Sequence, residues 1–145
     1  VLTALIALTN MIIGLPFDKE SAPTLQGILG VIMKPVVWLI GIPWSEAQTA
    51  GSLMGTKTVL NEFIAFLDLA KMGPGALTER SRVIMIYALC GFANFTSIAI
   101  LAGAFGSIAP HLRGDVARFG LRVVAAATLS NLMSATIAGI FLSLI

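Results

Sequence analysis

The chain has 145 residues, of which 57% are hydrophobic and only 11% charged, and its mean hydropathy is +0.96. An average soluble domain carries about 25% charged residues, so the composition excludes that class and indicates a membrane protein. Nine basic and seven acidic residues give a formal charge of +2 scattered over connecting segments, with no basic stripe to suggest nucleic acid; one cysteine, Cys90, and one histidine, His111, exclude an internal disulfide and a metal cluster.

The sequence opens at Val1 inside an apolar segment, without an initiator Met, a basic n-region or a cleavage site, so it is expected to be a piece of a longer protein. Residues 1–17 read as the end of a spanning helix, closed by Gly14 and Pro16 before the polar cluster Asp18, Lys19, Glu20 and Ser21. Residues 24–42 place Leu25, Ile28, Leu29 and Ile32 at helical spacing but are interrupted by Pro35 and Gly41. With Lys34, Trp38 and Trp44 they read as an interfacial helix at the headgroup level, a short kinked span being the alternative.

Residues 45–70 break the pattern of simple spans. Ser45 is a candidate cap with Glu46 in the first turn, and apolar arms flank Gly55-Thr56-Lys57-Thr58. Neither arm reaches across a hydrocarbon core that needs about 20 helical residues, so the expectation is a re-entrant hairpin turning at that Gly/Thr run. A hairpin of this kind exposes helix-end N–H and C=O groups at membrane depth, which is tolerated only against protein or a water-filled cavity. Glu62 stands just past the turn in an otherwise apolar run, and an ionisable group there costs roughly 2.5 to 3.5 kcal/mol on insertion scales. It therefore reads as a ligand for a polar solute.

Residues 71–82 form a loop marked by Gly73-Pro74-Gly75, with Thr78 as a cap before Glu79. The uncharged stretches Val83–Pro110 and Val123–Ile145 are each long enough to span. Residues 82–110 read as a broken spanning helix, because Gly91-Phe92-Ala93-Asn94-Phe95-Thr96-Ser97 falls at its centre. Asn94 and Ser97 share one helical face, Phe92 and Phe95 a neighbouring one; aromatics there can stack a ring while Glu62, Asn94 and Ser97 hold hydroxyls. His111 has no partner nucleophile in reach and reads as a surface residue.

Residues 116–145 read as the last spanning helix, with Ala126, Ser130, Ser134 and Ala138 on one row and Ala127, Asn131, Ala135 and Gly139 on the next. Small residues at this spacing let helices approach closely, and Asn131 is placed to bond the hairpin or the broken helix. Basic residues are divided too evenly between the two faces to settle orientation.

The stretches GTKTVLNEFIAFLDL, ALCGFANFTSIAILAGAFGSIAP and RVVAAATLSNLMSATIAG closely resemble the C-terminal part of the concentrative nucleoside transporters. The resemblance runs through the whole chain and spans about the last third of such a carrier. It implies an all-α membrane protein of spanning helices, a re-entrant helical hairpin and a discontinuous helix, acting as a sodium- or proton-coupled nucleoside symporter by alternating access. It also implies a homotrimer in a lipid bilayer, here a bacterial plasma membrane, and no enzyme activity. By the same resemblance Glu62, Asn94 and Ser97 bind the ribose, Phe92 lies near the base, and the coupling-ion site falls outside this chain, with no other cofactor. The alternatives are a structural or channel-forming membrane domain in which the polar residues are packing glue, and an intramembrane enzyme using Glu62 as a general base.

Overall fold

The computed structural model describes residues 2–17 and 22–144; the expected cluster Asp18–Ser21 and the end residues Val1 and Ile145 lie outside them. Among the described residues the fold consists of α-helices and one 3-10 turn, with no strand: α1 (Leu2–Gly14), α2 (Leu25–Leu39), α3 (Ala47–Val59), α4 (Glu62–Lys71), α5 (Glu79–Leu89), α6 (Phe95–Ile108), the 3-10 turn Pro110–Leu112, and α7 (Arg113–Leu142).

The helix boundaries follow from local chemistry. Thr24 opens α2 by accepting from the Gly27 N–H, Asn61 opens α4 by accepting from Ile64, and Thr78 opens α5 as expected, accepting from Ser81. Each satisfies one of the donors left without an intrahelical partner at a helix start. Ser45 does not act as a cap. Glu46 occupies the cap position of α3 without a side-chain bond there, and its Oε2 instead accepts from the Thr78 N–H at 3.2 Å and from Thr78 Oγ1 at 3.3 Å.

Apolar side chains bury as readily in lipid as in protein, so close packing and polar contacts have to hold membrane helices together. Helices α2 and α3 run antiparallel along a glycine seam. A Cβ added to Gly51 would strike the Gly30 carbonyl, one on Gly30 would stand 2.6 Å from Ser52 Oγ, and one on Gly55 would stand 2.8 Å from the Gln26 carbonyl. This explains where the chain turns. The run Gly55–Thr58, expected as the tip of the hairpin, is helical, because Gly55 serves contact with α2 and Thr58 Oγ1 donates back to Met54 O at 2.8 Å. The interruption falls at Leu60–Asn61, where Asn61 is in an extended conformation and starts α4.

Helix α7 packs on α5 and α6 through one of the two small-residue rows. Ala135 and Gly139 are buried and Ala127 and Asn131 half-buried, whereas Ala126, Ser130 and Ser134 are exposed. A Cβ on Gly139 would stand 2.9 Å from Ile84 Cδ1. Arginines close the same end of the molecule: Arg80 Nη1 donates to Gly41 O and Nη2 to Gly139 O at 3.3 Å, and Arg82 Nη1 donates to Leu69 O at 3.3 Å. Among the described residues a single helix with its leading turn, Pro110–Leu142, is long and apolar enough to cross a membrane. The stretch Val83–Pro110 is divided between α5 and α6.

Candidate functional site

The site forms where two chain interruptions meet, the one between α3 and α4 and the one between α5 and α6. Asn61 and Asn94 play the same part in each, an extended residue whose Oδ1 caps the helix it precedes. Asn61 accepts from Ile64 N at 2.9 Å and Asn94 from Ser97 N at 2.8 Å. The N-termini of α4 and α6 are thereby brought together, and both carry positive partial charge. Glu62, in the first turn of α4, sits where a carboxylate is favoured.

Asn94 joins the two. It is 1% exposed, its Nδ2 donates to Glu62 Oε2 at 2.8 Å, and its Oδ1 also accepts from Ser97 Oγ at 2.9 Å. The three polar residues singled out by sequence thus form one chain, Glu62–Asn94–Ser97, although Asn94 and Ser97 are linked as cap and first turn and not as neighbours on a helical face. Glu62 is half-buried, and a carboxylate has about four acceptor positions, so it retains capacity for hydroxyl donors. Ser97 keeps acceptor capacity after donating its proton.

Phe92 lies in the interruption itself and is 79% exposed. With Ser97 it lines an apolar cavity of about 380 Å³ between α6 and α7, together with Phe105, Asp115 and Phe119. Glu62 and Asn94 do not line this cavity; Ser97 is the one residue of the polar chain that does.

Two further residues complete the geometry. Thr96 Oγ1 donates to Leu60 O at 2.7 Å, satisfying the carbonyl freed where α3 ends. Lys57, which has no exposed surface, donates from Nζ to Ala88 O at 2.8 Å, near the end of α5. Asn131 of α7 stands beside it; in the amide orientation that its neighbours require, Oδ1 accepts from Lys57 Nζ at 2.9 Å and Nδ2 donates to Cys90 O at 3.1 Å. Gly91 passes directly over this amide at φ 142°, and a Cβ there would lie 2.6 Å from it. The signal for Lys57 is present in the sequence: it is the only charged residue between Glu46 and Glu62, so the cost of charge at depth applies to it as much as to Glu62.

The family model described as "Na+ dependent nucleoside transporter C-terminus" matches residues 1–139. The chain is 48% identical over 141 residues to an uncharacterized transporter, YutK, of Bacillus subtilis strain 168, covering 96% of this chain and 35% of that protein. It is 46% identical over 121 residues to the nucleoside permease NupC of Helicobacter pylori, covering 81% and 29%. Among solved structures, the inward-facing substrate-bound state of CNTnw superposes with a TM-score of 0.84 at 50% identity, over 97% of this chain and 34% of that one. The chain therefore spans about a third of the length of the proteins it matches.

Proposed function

Because the chain belongs to the Na+-dependent nucleoside transporter family, we propose that it forms the C-terminal part of a cation-coupled nucleoside symporter. In this reading α3 and α4 are the arms of a re-entrant hairpin, α5 and α6 the halves of a discontinuous helix, and their junction is the ribose side of the binding site. Helix α2, with Lys34 4.5 Å from the Trp44 ring and Trp44 edge-on to Trp38 at 6.3 Å, lies at the headgroup level. The coupling cation, sodium or a proton, binds outside this chain, and the carrier works as a homotrimer in a bacterial plasma membrane.

The observation that carries the reading is the 2.8 Å bond from Asn94 Nδ2 to Glu62 Oε2 across two capped helix starts. It orients a carboxylate that can accept both vicinal hydroxyls of a ribose, and hydrogen bonds to a charged group contribute about 1.5 to 3 kcal/mol each. Ser97 receives a third sugar hydroxyl and Phe92 stacks on the base. The experiment is uptake of radiolabelled uridine into vesicles containing the full-length protein. Glu62→Gln at matched expression is expected to lower uptake by about tenfold or more, and unchanged uptake overturns the role of Glu62.

A further inference from the structure

Lys57 is a fully buried cation that the proposed transport chemistry does not use. In an uninterrupted helix the Ala88 carbonyl would accept from the N–H four residues on, that of Phe92, and the Cys90 carbonyl from that of Asn94. The chain leaves helical geometry at Cys90, and Gly91 turns it through φ 142°. Two carbonyls at the end of α5 are thereby deprived of helix partners, that of the buried Ala88 and that of Cys90, an exposed residue. Lys57 from α3 supplies the donor for one at 2.8 Å, and Asn131 from α7 supplies the donor for the other at 3.1 Å while bonding Lys57 at 2.9 Å. The ammonium also places a positive charge at the helix end that carries negative partial charge.

We infer that Lys57 is a positioning residue of the solute site, a tethered cation that fixes the conformation of the α5–α6 interruption and with it the approach of Asn94 to Glu62. The residues it stabilises, Ala88 to Gly91, lead directly into Phe92 and Asn94. A continuous α5–α6 helix would turn Asn94 from an extended cap into a helical interior residue, and the bond to Glu62 would be lost. Lys57 thus acts on the solute through the backbone of the broken helix. The inference rests on the reading of Glu62 and Asn94 as the solute site.

The test uses the full-length transporter in nanodiscs and reads the interruption first without solute. Lys57→Ala is expected to speed hydrogen exchange at the amides of residues 92–97 by about tenfold or more, with the amides of the middle of α7 unchanged. Ethylammonium, which refills the vacated ammonium position, is expected to restore protection, whereas sodium at equal concentration is not. In vesicles the same variant is expected to raise the uridine KM by about fivefold or more, with kcat altered by less than about twofold. Asn131→Ala, a milder change that also frees the Cys90 carbonyl, is expected to affect the same amides in the same direction. Unchanged exchange at 92–97 in both variants overturns the inference, as does exchange that rises equally throughout α5, α6 and α7. If wild-type protein takes up no nucleoside while the exchange results hold, the transport reading fails and what stands is that Lys57 fixes the α5–α6 interruption.

Discussion

Asn94 holds Glu62 with one end of its amide and the first turn of α6 with the other. Nδ2 donates to Glu62 Oε2 at 2.8 Å, and Oδ1 accepts from the Ser97 N–H at 2.8 Å and the Ser97 hydroxyl at 2.9 Å. One side chain therefore has a capping role and a bridging role that different substitutions can separate.

Asn94→Asp keeps an oxygen to cap α6 but replaces the donor facing Glu62 with a second carboxylate. The cap of α6 is expected to persist, because Asp and Asn cap about equally well, while the melting temperature falls because a second carboxylate is buried against Glu62. Nucleoside affinity is expected to fall by about tenfold or more through like-charge repulsion and the lost bond. Calorimetric titration alongside a thermal melt separates the two effects, and affinity retained despite a lower melting temperature would contradict this division.

Gly91→Ala introduces a side chain at φ 142° that would meet the Asn131 amide at 2.6 Å. Backbone strain of this kind costs about 1 to 3 kcal/mol. A clear drop in melting temperature in detergent is expected, against almost none for Gly73→Ala, where a Cβ meets nothing within 4 Å. Equal melting temperatures for the two variants would show that the interruption tolerates rearrangement.

Gly51→Leu places a bulky side chain against the Gly30 carbonyl in the α2–α3 seam. Overpacking typically costs about 1 to 3 kcal/mol, and here it drives α2 away from α3. A clear drop in melting temperature in detergent is expected, against almost none for Gly103→Leu, where a Cβ meets nothing within 4 Å. Equal melting temperatures for the two variants would refute the tight seam.

Trp38 and Trp44 are both half or more exposed, at 52% and 54%. If α2 lies at the headgroup level, their fluorescence in a background otherwise lacking tryptophan is quenched more strongly by lipids brominated near the headgroup than by lipids brominated near the chain end. Stronger quenching by the deep label would place α2 across the bilayer.

What could be read in advance depended on whether a residue's chemistry or its packing decided its place. Thr78 is legible as a cap because capping is local, and the joining of Glu62, Asn94 and Ser97 by hydrogen bonds because polar atoms in apolar runs need partners. The expected turn at Gly55–Thr58 differs from the observed interruption at Leu60–Asn61 because Gly55 in sequence does not distinguish a turn from a close helix contact; only the position of α2 shows that it is the latter. In α7 the two rows of small residues are equivalent in sequence, and the burial of Ala135 and Gly139 against the exposure of Ser130 and Ser134 is set by α5 and α6. Lys57 falls in the run expected to turn, and the sequence signal for it is its charge in an otherwise uncharged stretch.

The exchange of donors between the two interruptions constrains the order in which the protein can be assembled. Leu60 O awaits Thr96, 36 residues further on, and Lys57 awaits Ala88, 31 residues further on. Chains emerge from the ribosome N-terminus first, so when α3 and α4 are complete their free carbonyl and their ammonium have no partner. Neither is tolerated unpaired in hydrocarbon. On the proposed reading of α3 and α4 as a hairpin, it waits at the membrane surface or in a protected aqueous space until α5 and α6 have been made, and reaches its final depth only in their company.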